Sequence, residues 1–506
     1  MSKEKTKKLT LISLILMIFT SVFGFTNMPR AFYLMGYSSI PWYILSALLF
    51  FIPYAFMMSE YGSAFRKEKG GMYSWMEKSV GGKYAFVGTF MWYASYIIWM
   101  VSVGSGIWVI LSNAVFGTDT TASWSLFGLS SVQTLGVLGI IWIIIVTAVG
   151  SRGLGNISKI TSVGGTAVAL LNIVLLVGGL VVLIANGKPA QPIGNLAQSL
   201  TVSPMKEYQG IIGIFSFLTF AIFAYGGLEA VGGLVDQTEN AEKTFPKGVL
   251  ISAIIISVGY ALGILACGMF TDWHKILGVK TVHLGNVAYV MLNNLGYQLG
   301  ISLGASQSVA LTIGAWTARF VGISMFLSIS GAFFTLTYSP LKTLILGAPK
   351  EIWPGKLGEI KNGMPVHAMK VQAAIVVVII AIVSFGGSSA SEFFKILTLM
   401  TNVAMTVPYM FLSLAFIGFK KKQLAGEIES SFMIYKTQKS ATIFSIVVTV
   451  VIGFANVFTI IEPVISSPNG MSQTLVMLLG PVMFSLVAYI LYSLYERKHK
   501  KSTLKA

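Results

Sequence analysis

The chain has 506 residues, of which 55% are hydrophobic and only 10% charged; an ordinary soluble domain carries roughly 25% charged residues. Apolar stretches of about 20 residues, the length that crosses a bilayer, recur along nearly the whole chain and leave no room for a sizeable soluble domain. The net charge is +17, and the single cysteine, Cys267, excludes an internal disulfide or a cysteine metal cluster.

Twelve membrane spans are expected, at 9–35, 40–60, 85–116, 132–150, 157–186, 210–236, 247–270, 312–346, 366–385, 390–419, 440–461 and 472–495. The start, Lys3 to Lys8 followed by Leu9 to Phe23, imitates a signal peptide. It has no small-x-small cleavage site and is read as a retained first helix. Alternating the loops between the two sides puts 28 of the 35 Lys and Arg residues on the side of the N-terminus and five on the other, with Arg30 and Arg319 near the outer ends of spans. Both termini are therefore expected in the cytoplasm, because cytoplasmic loops carry the excess of positive charge. A basic face lying on anionic lipid accounts for the net charge without a nucleic-acid partner.

The sixth span contains Phe223-Ala224-Tyr225-Gly226-Gly227-Leu228-Glu229. Two adjacent glycines in mid-span cost roughly 1 kcal/mol each in helix propensity, and a carboxylate follows at membrane depth, where ionisable groups are expensive and usually functional. Close helix packing on small residues is the plainer account of the glycines taken alone. The first span, however, carries a second interruption, Phe23-Gly24-Phe25-Thr26-Asn27-Met28-Pro29, in which Pro29 suits the first turn of a new helical segment. Spans 1 and 6 open two five-helix blocks of opposite orientation. Paired interruptions at corresponding positions of inverted repeats point to a transport site.

Two broken helices bring together two helix C-termini, near Phe23 and Tyr225, and two helix N-termini, near Asn27 and Leu228. N-terminal ends carry partial positive charge and free N–H groups, C-terminal ends partial negative charge and free C=O groups. Such a centre complements a carboxylate on one side and an ammonium on the other. That is the head group of an α-amino acid, or of a related amine-acid, and a sugar would find few side-chain partners here.

The stretch Phe223 to Glu229, followed by Asp236-Gln-Thr-Glu-Asn-Ala and Phe245-Pro246, resembles helix 6 and its loop in the amino acid–polyamine–organocation (APC) superfamily. Glu60-Tyr-Gly-Ser-Ala-Phe65 and Gly70-Gly-Met-Tyr-Ser-Trp75 are similar to that superfamily's loop after helix 2. Tyr338-Ser-Pro340, Trp353-Pro354 and Asn362-Gly-Met-Pro-Val366 are similar to its loop after helix 8. The resemblance covers nearly the whole chain, and within the superfamily it is nearest the glutamate/GABA antiporter family and its inner-membrane transporters.

The resemblance implies an all-α polytopic membrane fold of twelve transmembrane helices, a LeuT-type 5+5 inverted repeat plus two extra helices. The parts would be a cytoplasmic N-terminus (1–8), a first repeat (9–208), a second inverted repeat (209–419), two further helices (420–495) and a basic cytoplasmic tail (496–506). It implies a secondary amino-acid permease of the inner (plasma) membrane working by alternating access, with no cofactor and with the monomer as the default unit. Two departures stand out. Phe23-Gly24-Phe25 replaces the family's usual Gly-Ser-Gly, so a hydroxyl often set against the substrate carboxylate is missing. The long C-terminal plug of the acid-gated exchangers is absent here.

The substrate-binding set expected from the interruptions is Phe23, Gly24, Phe25, Thr26, Asn27, Phe223, Ala224, Tyr225, Gly226 and Gly227, with Phe223 at the family's gating-aromatic position. Glu60, Tyr96, Trp99 and Glu229 are gating or coupling candidates, although Glu60 also fits a loop anchor and Glu229 the first turn of a half-helix. Arg30 fits either a lure for an anionic side chain or a vestibule residue. Lys159 fits a stand-in for a coupling sodium or a plain topology signal, and Thr398, Thr401 and Asn402 are further lining candidates.

Other chemistries find little in the sequence. Gly150-Ser-Arg-Gly153-Leu-Gly155 lies between spans without the strand and helix of a dinucleotide site, and there is no Walker A motif. His274, His283, His367 and His499 are scattered and suggest no metal site. Asn156-Ile-Ser158 is a sequon on the cytoplasmic side. An intramembrane enzyme would need a partner for Glu229, and a 6+6 carrier a long loop where 237–246 has about ten residues. A non-transporting amino-acid sensor on the same fold stays open. Span 8 has hydroxyls at Ser324, Ser328, Ser330, Thr335 and Thr337 but no adjacent Ser/Thr pair for sodium, so exchange or proton coupling is expected over sodium symport.

Overall fold

Apolar runs in a medium without water can satisfy their backbone groups only inside helices, and the molecule is built accordingly. The computed structural model describes residues 9–503 apart from 67–70, 153–156, 230–234, 236–237, 362, 388, 431 and 467–469. The basic N-terminus, the turn carrying Gly153, Gly155 and Asn156, and Gly70, Asp236 and Asn362 of the resemblance therefore lie outside the described residues. So does the side chain of Lys159. Among the described residues the only β features are two isolated bridges, Leu9 to Thr238 and Lys361 to Met364.

The first half of the chain forms α1 (Leu11–Val22), α2 (Asn27–Met35), α3 (Ser39–Ser46), α4 (Ile52–Ala64), α5 (Gly71–Val80), α6 (Gly82–Phe116), α7 (Ser131–Gly150), α8 (Ile157–Asn186) and α9 (Leu196–Thr201). The second half forms α10 (Ile211–Ala224), α11 (Ala241–Phe270), α12 (Val287–Ser302), α13 (Gln307–Gly347), α14 (Val366–Ser384), α15 (Ala390–Leu424), α16 (Gln438–Ser466) and α17 (Gly470–Thr503). Helix starts follow their capping residues. Ser130 and Gln133 close a capping box on α7, and Ser389 and Glu392 do the same on α15.

Among the described residues, ten helical stretches are long and apolar enough to cross a membrane. The first runs from Asn27 to Ala64 through α2, α3 and α4, with a π-helical turn over Ala47–Phe51. The others are α6, α7, α8, α11, α13, α14, α15, α16 and α17. The apolar helix α10 has 14 residues and α1 has 12, too few to cross alone.

Burial tells the centre from the rim. Some 67% of the best apolar window of α6 and 61% of that of α15 are buried, against 12% for α17. Large side chains such as Leu16, Ile144, Leu180 and Val450 stay exposed on the periphery, as they must where the surrounding solvent is acyl chain. At the centre, α6 packs against α13 and α15, while α11 packs against α1, α4 and α8.

Two elements differ from the expectation. Residues 287–302, read as loop, form α12, which packs along α13. Its 16 residues include two Asn and a Gln, which hid an apolar face too short for a span. The tail from 496 continues α17 as helix up to Thr503.

Candidate functional site

The two interrupted stretches meet. α1 ends at Val22, the chain runs without helix through Phe23 to Thr26, and α2 begins at Asn27. α10 ends at Ala224, and Gly227 takes φ 109°, a backbone conformation that residues with a Cβ rarely adopt. A Cβ there would also lie 2.9 Å from the Ser21 carbonyl oxygen. Glycine at 227 thus lets the two non-helical segments approach each other. The description of the sixth span stops after a short 3-10 turn at Leu228 and Glu229, so the helix expected beyond it lies outside the described residues.

A cavity of about 1130 Å³ opens on this junction. Of the expected residues, Gly24, Thr26 and Asn27 line it from the first segment, and Phe223, Ala224, Gly226 and Gly227 from the second. Tyr96 and Trp99 line it from α6, and Arg30 from α2. Phe23, Phe25 and Tyr225 do not line it. The Phe23 ring stacks on Phe19 and lies against Tyr260, and Phe25 is buried. Tyr225 donates to the Tyr43 carbonyl at 3.1 Å and stacks on Phe51. These three contribute the shape of the backbone rather than side-chain contacts to the cavity.

The backbone supplies polarity of the expected kind. The amide N–H groups of Phe25 and Thr26, just before α2, take no partner among the described residues, and they lie at the partially positive end of that helix. On the other side, the Val22 and Ala224 carbonyls mark the partially negative ends of α1 and α10.

One residue joins the two segments, and sequence reasoning missed it. Tyr260 on α11 is fully buried. Its hydroxyl lies 2.7 Å from the Ala224 carbonyl and 3.0 Å from that of Val22. The same oxygen accepts the Gly24 N–H at 2.8 Å and the Asn27 side-chain amide at 3.3 Å. Nothing in the run around Tyr260 marks it, because its partners lie far away in sequence.

The three candidates on α15 all line the cavity but differ in their polar atoms. Thr398 and Thr401 spend their hydroxyls on the Phe394 and Leu397 carbonyls, each at 2.8 Å. Both polar atoms of the buried Asn402 side chain lack a partner among the described residues. A buried amide in that state is a strong candidate for ligand contact.

Glu229 and Glu60 stand apart from the lining. Glu229 is buried, accepts the Gly227 N–H at 3.2 Å and has no cation within ion-pair distance among the described residues. Glu60, near the end of α4, is fully buried in an ion pair with Lys420 of α15. It also accepts the backbone N–H groups of Ile434 at 2.8 Å and Tyr435 at 2.7 Å. The pair thereby ties α4, α15 and the segment before α16 together. Among the described residues no group of three or more His, Cys, Asp or Glu could hold a metal ion.

Comparison with known proteins places the chain in a family. Residues 9–487 match the amino acid permease family. The chain is 52% identical to the inner membrane transporter YjeM of Salmonella typhimurium over 495 residues, 97% of either chain. It is 24% identical to the aspartate/glutamate permease AcaP of Lactococcus lactis subsp. cremoris over 517 residues, 98% of this chain and 97% of that one. A glutamate/gamma-aminobutyrate antiporter of Lactococcus lactis subsp. lactis is 20% identical over 466 residues, 90% of this chain and 84% of its own. The family and these relatives are permeases and transporters, not enzymes.

Proposed function

We propose that this chain, which belongs to the amino acid permease family, is a secondary amino-acid transporter of the inner membrane. In this reading α1 with α2, and α10 with the residues after it, are two interrupted spans that complete a set of twelve. The first ten form a LeuT-type 5+5 inverted repeat, and both termini lie in the cytoplasm. The protein works by alternating access, driven by exchange or by a proton gradient.

The observation that carries the reading is the meeting of three helix ends at one cavity, with unpartnered amide N–H groups at Phe25 and Thr26. The substrate carboxylate sits at the start of α2, and its ammonium group faces the carbonyl ends of α1 and α10. Fixed dipoles in a low dielectric bind charge far better than they do in water. The names of the relatives, which cover aspartate, glutamate and gamma-aminobutyrate, support an amino acid or amine-acid as the cargo.

Uptake of radiolabelled amino acids into proteoliposomes, with and without internal amino acid, tests this. Time-dependent accumulation that is stimulated by internal substrate or by an imposed proton gradient is the expected result. Binding without any uptake would instead mark a sensor on the same fold.

A further inference from the structure

Arg30 stands one turn into α2, past the unpartnered amides at the start of that helix, and it is the one formally charged residue among the described residues of the lining. Its Nε donates to the Leu284 carbonyl at 2.9 Å. That bond fixes the guanidinium plane and leaves its two terminal nitrogens free of partners among the described residues. No carboxylate among the described residues lies within ion-pair distance of it.

The acidic group held by the segment that binds Arg30 is already committed. Asp119, in the loop after α6, accepts the Thr121 N–H at 2.9 Å and the Thr121 hydroxyl at 2.6 Å on one oxygen. Its other oxygen accepts from Asn286 at 2.9 Å and lies 3.5 Å from His283. Burial lowers the His283 pKa below its ordinary 6.5, against the opposing pull of Asp119, so this imidazole adds no second positive charge near neutral pH.

Arg30 is partly buried. A guanidinium withdrawn from water is costly without a counter-ion, and such a group is normally paired. Here the unpaired face opens into the one space that a ligand is read to occupy. Residues three and four positions apart on a helix are neighbours on its surface, about 5–6 Å along the axis. Arg30 therefore lies one turn from Asn27 and Thr26, within reach of a short side chain whose head group sits at the start of α2.

We propose that Arg30 is a specificity-determining residue, and that the favoured substrates are amino acids carrying a second, anionic group. This rests on the reading of the cavity as an amino-acid site. A planar guanidinium binds a carboxylate through two parallel N–H···O bonds, so the matching amide analogue loses both the charge and one acceptor. The same charge repels cationic side chains.

The test is a charge series on purified, reconstituted protein. L-glutamate, L-aspartate, L-glutamine, L-asparagine and L-arginine are compared as competitors of uptake and as stabilisers in a thermal-shift assay. Wild type is expected to prefer each acid over its amide by about tenfold or more and to reject L-arginine. Arg30→Gln is expected to bring the acid and amide affinities together while neutral amino acids still bind, and Arg30→Lys to keep part of the preference. Equal response of wild type to acid and amide, or an unchanged ratio in Arg30→Gln, overturns the proposal. If Arg30→Gln does not fold, the wild-type series decides alone. If neutral amino acids bind and acidic ones do not, only the role of Arg30 fails. If no amino acid of any charge binds, the amino-acid reading of the cavity fails and this proposal with it.

Discussion

The hydroxyl of Tyr260 lies 2.7 Å from the carbonyl oxygen of Ala224, while its own oxygen accepts the amide of Gly24 at 2.8 Å. A single phenol on α11 thus cross-links the ends of two other helices in a region where water is scarce. Tyr260→Phe keeps the ring, which sits 4.5 Å from Phe23 and 5.2 Å from Tyr43 between centroids, and removes only the bridge. Leaving those backbone groups unsatisfied costs about 1–3 kcal/mol. The variant is expected to insert normally, to melt at lower temperature and to transport at least about tenfold more slowly. Wild-type uptake in Tyr260→Phe would show that the bridge is dispensable.

Gly227 combines a left-handed φ with a close carbonyl, so even the smallest side chain is excluded. Gly227→Ala should cost on the order of 1–3 kcal/mol from backbone strain alone and abolish transport. Gly187→Ala is the control, because Gly187 shares a positive φ (68°) but has open space around its missing Cβ. Equal transport defects in the two variants would argue that strain, and not the meeting of the two segments, is responsible.

Asn402 offers a test in which stability and function move in opposite directions. Its amide has no protein partner, so Asn402→Leu removes a buried unsatisfied group and is expected to leave stability unchanged or to raise it by up to about 1–3 kcal/mol. Substrate affinity in the same variant is expected to fall by about tenfold or more. Melting temperature and half-saturation of uptake, measured side by side, check both halves.

Glu60 and Lys420 form a fully buried pair, so removing either partner strands a charge. Lys420→Met and Glu60→Gln should each cost about 3–5 kcal/mol, and the double variant markedly less than the sum. Thermal melting of the four proteins in one detergent gives the coupling directly. Additive losses would mean that the pair does not act as a unit.

Glu229 is the buried carboxylate best placed to carry a proton. Glu229→Gln is expected to lose uptake driven by a proton gradient while retaining exchange of labelled for unlabelled substrate. Uptake that requires sodium and ignores both pH and internal substrate would overturn this assignment for the wild type as well.

Local chemistry made part of this molecule legible in its sequence. The glycine pair at 226–227 and the Gly24 to Pro29 run stood out because each breaks an apolar period that a helix needs, and the cavity opens where they meet. The aromatic residues within those runs were harder to place. Alternation on a non-helical segment has no fixed period, so nothing announced that Phe23, Phe25 and Tyr225 turn away from the cavity while Phe223 lines it. Tyr260 and the Glu60–Lys420 pair owe their roles to partners contributed by other helices, up to 360 positions away. In a chain where most spans read as uniformly apolar, a lone Tyr or Lys carries no mark of what it will meet.

Pro408 falls inside α15, between Asn402 on the cavity and Lys420 at the ion pair. Lacking an N–H, it cannot bond the carbonyl one turn earlier, at Ala404, and its ring crowds that oxygen. The helix therefore lacks one backbone hydrogen bond at this point, and bending it there sacrifices no further one. On one side of this joint α15 presents Asn402 to the cavity, and on the other it holds the clasp that Glu60 and Lys420 form. One rod can then lean at its upper end while its foot stays fastened, or swing at its foot once the clasp opens.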